Sequence, residues 1–180
     1  MKATVFIAAS VDGFIARTDG AIDWLPSGDN ADGGEDYGYQ AFFDSVDALV
    51  MGRNTYELAR TFGTWPYGDK PVVVLSTDDP AIPSELGKVE SMSGAPMEIV
   101  SRLHRRGFRH LYIDGGKTIQ GFLAAGLIQR MIITRIPVLI GTGIPLFGPL
   151  AADVRLEHVA TRHYLSGLVQ TEYGVLPPAR

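Results

Sequence analysis

A pair of glycines followed by lysine and threonine marks the one place in this sequence where a phosphate-binding turn is most readily predicted. The segment Leu111–Leu123, LYIDGGKTIQGFL, predicts a buried strand that passes through Gly115 and Gly116 into a helix. Glycines allow a ligand to approach the backbone closely, and a helix start offers free N–H groups to an anion. A complete nucleoside-triphosphate loop needs a further glycine where Leu111 stands. A tight strand-to-helix turn without a ligand explains the pattern equally well.

Two other predicted strands end in groups that suit a phosphate. VMGRNTYE, residues 50–57, ends a strand at glycine and places Arg53 at a helix start, although its Asn54 could be a plain cap. VVVLSTDDP, residues 72–80, ends a strand at two hydroxyl side chains, although a capped turn has the same composition. Ligands of open α/β sheets bind at the carboxyl ends of the strands. Three such ends together favour an extended, multiply phosphorylated ligand, and a dinucleotide fits.

The elements that must position these groups alternate between strand and helix. Val- and Ile-rich runs predict strands at residues 3–10, 47–52, 70–77, 110–115 and 130–141. Helical patterns lie between them, which indicates an α/β fold with a largely parallel sheet. The tail predicts an antiparallel hairpin about Ser166 and Gly167 at a sheet edge. The polar loop at residues 27–36 is either a mobile lid or a solvated connection.

Composition limits the classes of function. The chain has 180 residues, 46% of them hydrophobic and 20% charged, which suits one globular domain. Its net charge of −4 argues against nucleic acid or an anionic membrane as the main partner. The lack of cysteine excludes disulfides and thiolate metal sites. No apolar run approaches the roughly 20 residues of a membrane span, so we expect a cytoplasmic protein. His158 and His163 of the predicted hairpin are spaced to face opposite sides of a strand, so we predict no metal site.

The order of these motifs resembles the dihydrofolate reductase fold, and more closely the reductase domain of bacterial riboflavin biosynthesis. AASVDGFIA, GRNTYE, VLST and DGGKTIQGFL resemble the cofactor-binding motifs, and PVLIGTGIPLF resembles a loop of the riboflavin-type enzymes and of small stand-alone relatives. The resemblance implies a single domain over residues 1–180 with three α/β/α layers. It implies a mostly parallel central sheet with an antiparallel C-terminal hairpin, and a homodimer.

The resemblance also implies NADPH as the cofactor. Arg53 with Ser76 and Thr77 would meet the 2′-phosphate, and the N–H groups of residues 116–119 would hold the pyrophosphate. The family further suggests a cis peptide bond between Gly115 and Gly116. The full set of residues that the resemblance assigns to the cofactor is Ala9, Ile15, Gly52, Arg53, Asn54, Thr55, Leu75, Ser76, Thr77, Asp114, Gly115, Gly116, Lys117, Thr118 and Ile119.

One departure from dihydrofolate reductases bears on the function. Those enzymes usually have three glycines at the pyrophosphate turn, where this chain has Asp114 before two, as riboflavin-type reductases often do. The zinc deaminase domain that accompanies the full riboflavin enzyme is missing from this sequence. The resemblance therefore implies an NADPH-dependent reductase of a small heterocycle, like 5-amino-6-(5-phosphoribosylamino)uracil reductase. Reduction of a dihydrofolate or pteridine is the alternative, a non-catalytic NADPH-binding module is another, and a nucleoside-phosphate kinase is a third.

A reductase of this kind needs a proton donor beside the reacting bond. Counting back from the GRNTYE motif places the family's acid at Asp36, with Glu35 adjacent and Asp12 as a further candidate. Acids at a helix start also serve simply as favourable charges, which is the competing interpretation. Residues expected at the substrate are Trp24, Tyr39 and Phe43.

Overall fold

The computed structural model describes residues 1–26, 34–78 and 80–177. The strands are β1 Lys2–Ser10, β2 Phe14–Ala16, β3 Ala48–Gly52, β4 Val72–Leu75, β5 Val89–Met92, β6 His110–Asp114, β7 Arg130–Ile136, β8 Ile144–Pro145, β9 Leu156–His163 and β10 Val169–Val175. The helices are α1 Tyr39–Ser45, α2 Arg53–Arg60, α3 Pro96–Arg105 and α4 Gly116–Ala124, with a 3₁₀ turn at Ser84–Leu86. Most of the predicted loop at residues 27–36 lies outside the described residues.

The central sheet has eight strands in the order β5-β4-β3-β6-β1-β7-β10-β9. The first six are parallel, and β10 runs antiparallel to both β7 and β9. The near-continuous Val and Ile runs of β3, β4 and β6 are buried because helices cover both faces of a parallel sheet. The predicted mostly parallel sheet and its antiparallel C-terminal hairpin are confirmed.

Alternate residues of each strand enter two apolar layers. Val50 and Ile113 pack with α3 and α4 on one face, while Leu49 and Met51 pack with α1 and α2 on the other. Burying each such side chain contributes about 1.5–3 kcal/mol to folding. The helices on the two faces complete the three-layer α/β/α arrangement. The sheet is therefore held between two apolar cores, one on each face, and these cores fix the positions of the strand ends.

Three short strands were not predicted. β5 pairs with β4 at the sheet edge, while β2 and β8 pair with each other in a separate two-stranded sheet. The predicted fifth strand also stops earlier than expected, at Ile136. Pro137 follows and has no N–H to donate to a neighbouring strand.

Within the described residues, none of the helices combines the length and the apolar character that crossing a bilayer requires.

Candidate functional site

The three strand ends that suit phosphate binding lie side by side. β3 is hydrogen-bonded to both β4 and β6, with Gly52 opposite Leu75 and Met51 opposite Asp114. Because these strands are parallel, their carboxyl ends share one edge of the sheet. The helix starts of α2 and α4 follow directly from β3 and β6 at this edge. The structure thus brings together the three segments that the sequence singled out separately.

The starts of α2 and α4 face each other through glycine and threonine. A β-carbon at Gly52 would lie 3.1 Å from the Thr118 hydroxyl oxygen, and a β-carbon at Gly115 would collide with the Thr55 hydroxyl. Neither helix has a side-chain cap or an acidic residue in its first turn. Two positively polarised helix starts, lined by hydroxyls and without acidic residues in their first turns, are therefore adjacent. This arrangement fits a phosphorylated ligand.

The glycine turn reaches its shape without a cis bond. Gly115 adopts φ 90° and ψ 139°, and the described residues contain no cis peptide bond, so the predicted Gly115–Gly116 cis bond is wrong. A glycine can turn the chain by taking a positive φ, which removes the need for a cis bond.

Gly116 is enclosed by the small second sheet. A β-carbon there would lie 3.2 Å from both Ile15 Cδ1 and Ile144 Cγ2. These isoleucines belong to β2 and β8, which pair with each other beside the start of α4. Gln120 of α4 strengthens the contact, since its amide Nε2 donates to the carbonyl oxygen of Pro145 at 2.9 Å. A glycine at position 116 lets β2 and β8 approach the turn closely.

Asp12 joins the two loops that carry β2 and β8. Its carboxylate accepts a hydrogen bond from the Ser10 hydroxyl at 2.6 Å and from the Gly141 N–H at 2.7 Å. The Ile140 N–H donates to the same carboxylate. The Ser10 hydrogen bond and these backbone N–H groups lower the pKa of Asp12. Asp12 is therefore an ionised loop anchor, which is a poor proton donor at neutral pH.

Arg53, the first residue of α2, contacts two carboxylates. Its Nε donates to Glu57 Oε1 at 2.7 Å, and its Nη1 donates to Asp78 Oδ2 at 3.2 Å. Asp78 follows the Ser76–Thr77 pair at the end of β4, and its N–H donates to the Ser76 hydroxyl at 3.2 Å. Asp78 thus connects Arg53 with the Ser76 end of β4, and it is an addition that the motif did not predict.

Asp114 ends β6 and is largely buried. Its Oδ1 accepts the N–H of Gly115 at 2.8 Å, but burial outweighs this hydrogen bond and raises the pKa of the carboxyl to about 6. Its charge helps raise the pKa values of Tyr39, Tyr67 and Tyr112, for which burial is the larger cause. These phenols therefore stay protonated and neutral. A carboxyl that titrates near neutral pH at a ligand-binding strand end is a functional-site candidate.

The acids that counting from the motif suggested are engaged at the start of α1. Asp36 accepts the N–H of Gly38 at 2.8 Å and the N–H of Gln40 at 2.9 Å, and these backbone hydrogen bonds lower its pKa. Glu35 accepts the N–H of Tyr37 at 2.9 Å. Both side chains are exposed. Their contacts match the competing interpretation of helix-start acids.

Two of the residues expected at the substrate, Tyr39 and Phe43, lie on the α1 face of the sheet. Tyr39 packs against Phe6, with ring centroids 5.5 Å apart, and Phe43 packs one turn further along α1, where Lys70 Nζ lies 4.9 Å from its ring. Trp24 lies in the turn after β2, and its buried Nε1 has no acceptor among the described residues. Of the three, only Tyr39 has a titratable side chain, and burial, together with the charge of Asp114, raises its pKa.

The remaining predicted cofactor residues differ in what they can offer. Ala9 and Ile119 are fully buried in the core, so their side chains cannot reach a ligand, and the Ile119 N–H donates to the Gly115 carbonyl oxygen at 2.8 Å. Leu75 is half-buried, while Asn54 and Lys117 are exposed beside the two helix starts.

Three further residues of the site were missed from the sequence. The position of Tyr112 could have been predicted from the sequence, because residues i and i+2 of a strand share a face and Asp114 follows Tyr112 by two positions. Tyr67 lies in an irregular segment and Asp78 in a turn, and neither has a periodic pattern to indicate its position.

An open depression of about 670 Å³ lies at the opposite, amino-terminal edge of the sheet, but several of its charged groups are already engaged. Asp47 accepts the N–H groups of Arg109 and His110, and Lys70 donates to the Val46 carbonyl. We therefore assign the functional site to the carboxyl edge.

Comparisons with known proteins identify the family of the chain. The family model of the RibD C-terminal domain matches residues 1–170. A crystal structure of a candidate riboflavin biosynthesis protein from Shewanella sp. PV-4 is similar, with 42% identity and a TM-score of 0.89 over 98% of this chain and 100% of that chain. The uncharacterized protein YwjB of Bacillus subtilis is 34% identical over 165 residues, which cover 91% of this chain and 92% of YwjB.

Dihydrofolate reductases are also among the similar proteins. The dihydrofolate reductase HdrB of Haloferax volcanii is 33% identical over 129 residues, covering 69% of this chain and 62% of HdrB. The Enterococcus faecalis dihydrofolate reductase complexed with NADP(H) has the same fold, with a TM-score of 0.68 at 17% identity over 97% of this chain and 96% of that chain. The three-layer α/β/α arrangement is therefore the predicted dihydrofolate reductase-like fold, and the chain belongs to the family of RibD C-terminal domains.

Proposed function

We propose that the protein is an NADPH-dependent reductase of a small heterocyclic substrate with a C=N bond, and that Asp114 supplies the proton. One observation carries the proposal: two uncapped helix starts meet at the glycine turn, directly beside a carboxyl whose pKa is about 6. Membership of the RibD C-terminal domain family supports a reductase.

The residues at the carboxyl edge fit a dinucleotide phosphate. The backbone N–H groups of Gly116, Lys117 and Thr118 would hold the pyrophosphate, because the first turn of α4 has no side-chain cap to occupy them. The N–H of Ile119, which was expected to join them, instead donates to the carbonyl oxygen of Gly115 at 2.8 Å. Arg53, Ser76 and Thr77 would hold the 2′-phosphate, with the guanidinium supplying charge-assisted hydrogen bonds. Ile15 and Ile144 would keep water away from the turn. When bound, NADPH supplies the hydride.

Asp114 completes the reduction of the C=N bond. As the carbon gains the hydride, the nitrogen takes the Asp114 proton, and the resulting carboxylate regains a proton from solvent. At pH 7 a carboxyl with a pKa of about 6 is protonated in about one molecule in ten. General acids contribute about 10²–10⁴-fold to rate when they are positioned at the reacting atom. Burial of the carboxyl keeps this pKa high, in spite of the hydrogen bond from the Gly115 N–H.

We propose two substrate classes and rank them by the support that the similar proteins give to each. A ribosylaminopyrimidine of riboflavin synthesis comes first, because the matching family is the RibD C-terminal domain and the similar Shewanella protein is a candidate riboflavin biosynthesis protein. A dihydropteridine comes second, because HdrB is named a dihydrofolate reductase. A homodimer and a cytoplasmic location stay predictions, and the mass of the protein in solution tests the first of them.

Thermal unfolding with and without ligand tests the cofactor assignment. NADPH at 100 times its dissociation constant should stabilise the protein by about 2.7 kcal/mol without magnesium. ATP with magnesium is the comparison, since a kinase would respond to it and not to NADPH. Absence of NADPH stabilisation at millimolar concentration would overturn the proposal.

Oxidation of NADPH, followed by its absorbance, then tests catalysis with a ribosylaminopyrimidine and with dihydrofolate. Turnover of either identifies the substrate class. NADPH binding without turnover of any C=N substrate would favour the non-catalytic module.

A further inference from the structure

Arg53 is held by carboxylates from two separate segments. Glu57 lies one turn further along α2, whereas Asp78 comes from the turn after β4, 25 residues away in the sequence. The helix alone would supply the Glu57 contact. The Asp78 contact instead depends on the tertiary arrangement, because it needs β3 and β4 to be neighbours with Gly52 opposite Leu75.

Asp78 stands where a ligand can reach it. Its side chain is 76% exposed and that of Arg53 is 46% exposed. The N–H of Asp78 donates to the Ser76 hydroxyl, which ties the carboxylate to the hydroxyl-bearing end of β4. Arg53, Ser76 and Asp78 therefore form one accessible group at the edge of the sheet, with a cation, a hydroxyl and an anion together.

The two charges of this group favour different ligands. A guanidinium prefers a phosphate, to which it can donate two parallel hydrogen bonds. A carboxylate at a strand end accepts hydrogen bonds from ribose hydroxyls, which is how dinucleotide sites recognise a 2′-hydroxyl, and it repels a 2′-phosphate. A phosphate at this position would have to compete with Asp78 for the Nη1 donor of Arg53.

We propose that Asp78 sets the cofactor preference by opposing Arg53, so that the site accepts NADH as well as NADPH with a narrow preference between them. This inference rests on the proposed function, since it concerns the same cofactor. Asp78 weakens NADPH binding by competing for Arg53 and by repelling the 2′-phosphate. It supports NADH binding by accepting the 2′-hydroxyl.

Binding of both cofactors to Asp78→Asn and to the wild-type protein tests the proposal. Dissociation constants for NADPH and NADH should be measured by titration calorimetry at two salt concentrations. We expect Asp78→Asn to bind NADPH at least fivefold more tightly and NADH no more tightly. The gain for NADPH should shrink at high salt, because the repulsion is between exposed charges. Unfolding temperatures without ligand check that the exposed substitution leaves the fold intact.

Two further variants separate the possible causes. Asp69→Asn removes one negative charge at the opposite edge of the sheet and should leave both dissociation constants unchanged. Glu57→Gln replaces the carboxylate that accepts from Arg53 Nε with a neutral amide oxygen, which is a weaker acceptor, and should tighten NADPH without affecting NADH.

The outcomes distinguish this inference from the proposed function. An unchanged ratio of the two dissociation constants in Asp78→Asn overturns the role of Asp78 and leaves the reductase proposal standing. A wild-type protein that binds neither dinucleotide overturns both. Equal tightening by Asp78→Asn and Asp69→Asn would mean that net charge, rather than the Arg53 contact, controls affinity, and the inference would again be overturned.

Discussion

Gly115 and Thr55 are so close that a β-carbon on the glycine would collide with the threonine hydroxyl. The same relation holds in reverse between Gly52 and Thr118, where the gap to an added β-carbon would be 3.1 Å. Each strand end thus makes room for the helix that starts from its neighbour. The two helix starts are held side by side by this contact, and the anion site that we propose depends on it.

Gly115→Ala should destabilise the protein by about 1–3 kcal/mol and remove NADPH binding. The substitution combines a strained φ of 90° with overpacking against Thr55. Chemical denaturation measures the stability, and a cofactor titration measures the binding.

Gly20→Ala is the matched control for that substitution. Gly20 has φ 88°, but a β-carbon there would have no neighbour within 4 Å. It therefore reports the cost of the backbone conformation alone. A loss as large in Gly20→Ala as in Gly115→Ala would show that the contact with Thr55 costs nothing.

Gly116→Val should abolish cofactor binding, whereas Lys117→Ala should change it by less than about threefold. The valine would push against Ile15 and Ile144 and displace β2 and β8 from the turn. Lys117 is exposed, and the backbone N–H groups and the helix start supply the attraction instead. Titration with NADPH, with and without magnesium, measures both. A large loss in Lys117→Ala, or a need for magnesium, would indicate a nucleoside-triphosphate type of site.

Arg53→Ala should weaken NADPH binding about tenfold or more and leave NADH nearly unchanged. A guanidinium on a phosphate contributes about 1.5–3 kcal/mol, and NADH lacks the 2′-phosphate. Arg105→Ala, an exposed arginine of α3, controls for the change in net charge. Equal losses for both cofactors would place Arg53 at the pyrophosphate instead.

The sequence predicted the main elements of the sheet because its strands are strongly patterned. The Val and Ile runs of β3, β4 and β6 indicate strands covered on both faces, and alternation with helices implies parallel pairing. β5 escaped because Glu90 and Ser91 make it polar and its residues are only half-buried at the edge. β2 and β8 were not predicted because strands of three and two residues are too short to show an alternation of apolar and polar side chains. They form by pairing with each other, although they are distant in the sequence.

Motifs predicted which segments form the site but not every role within it. Asp36 was assigned by counting along the chain, yet its carboxylate is used by the N–H groups at the start of α1. The raised pKa of Asp114 depends on burial beneath helices that are distant in sequence. The Gly115 turn looked like a cis bond by resemblance, but glycine has two ways to make such a turn and sequence does not distinguish them.

Asp114→Asn should lower kcat at least tenfold and abolish the pH dependence of the reaction near pH 6. Only the protonated carboxyl can donate, so wild-type kcat/KM should fall as pH rises through about 6.

The Asp114→Asn substitution should also stabilise the fold at pH 7. The folded-state pKa is above the ordinary 3.8, so the folded protein binds more protons than the unfolded chain between these values, and its stability falls as pH rises from about 4 to 6. Asparagine removes this cost, which is about 2–3 kcal/mol.

Asp36→Asn is the control that separates the two candidate acids. The pKa of Asp36 is lowered, so its contribution to stability is present above the unfolded pKa and is lost as pH falls through the folded pKa. The substitution should therefore lower stability at pH 7, opposite to Asp114→Asn, while leaving the pH profile of kcat/KM unchanged. Measuring both profiles with one substrate, alongside denaturation at pH 4 and pH 7, decides the assignment. If Asp36→Asn flattens the profile and Asp114→Asn does not, the proton comes from the start of α1.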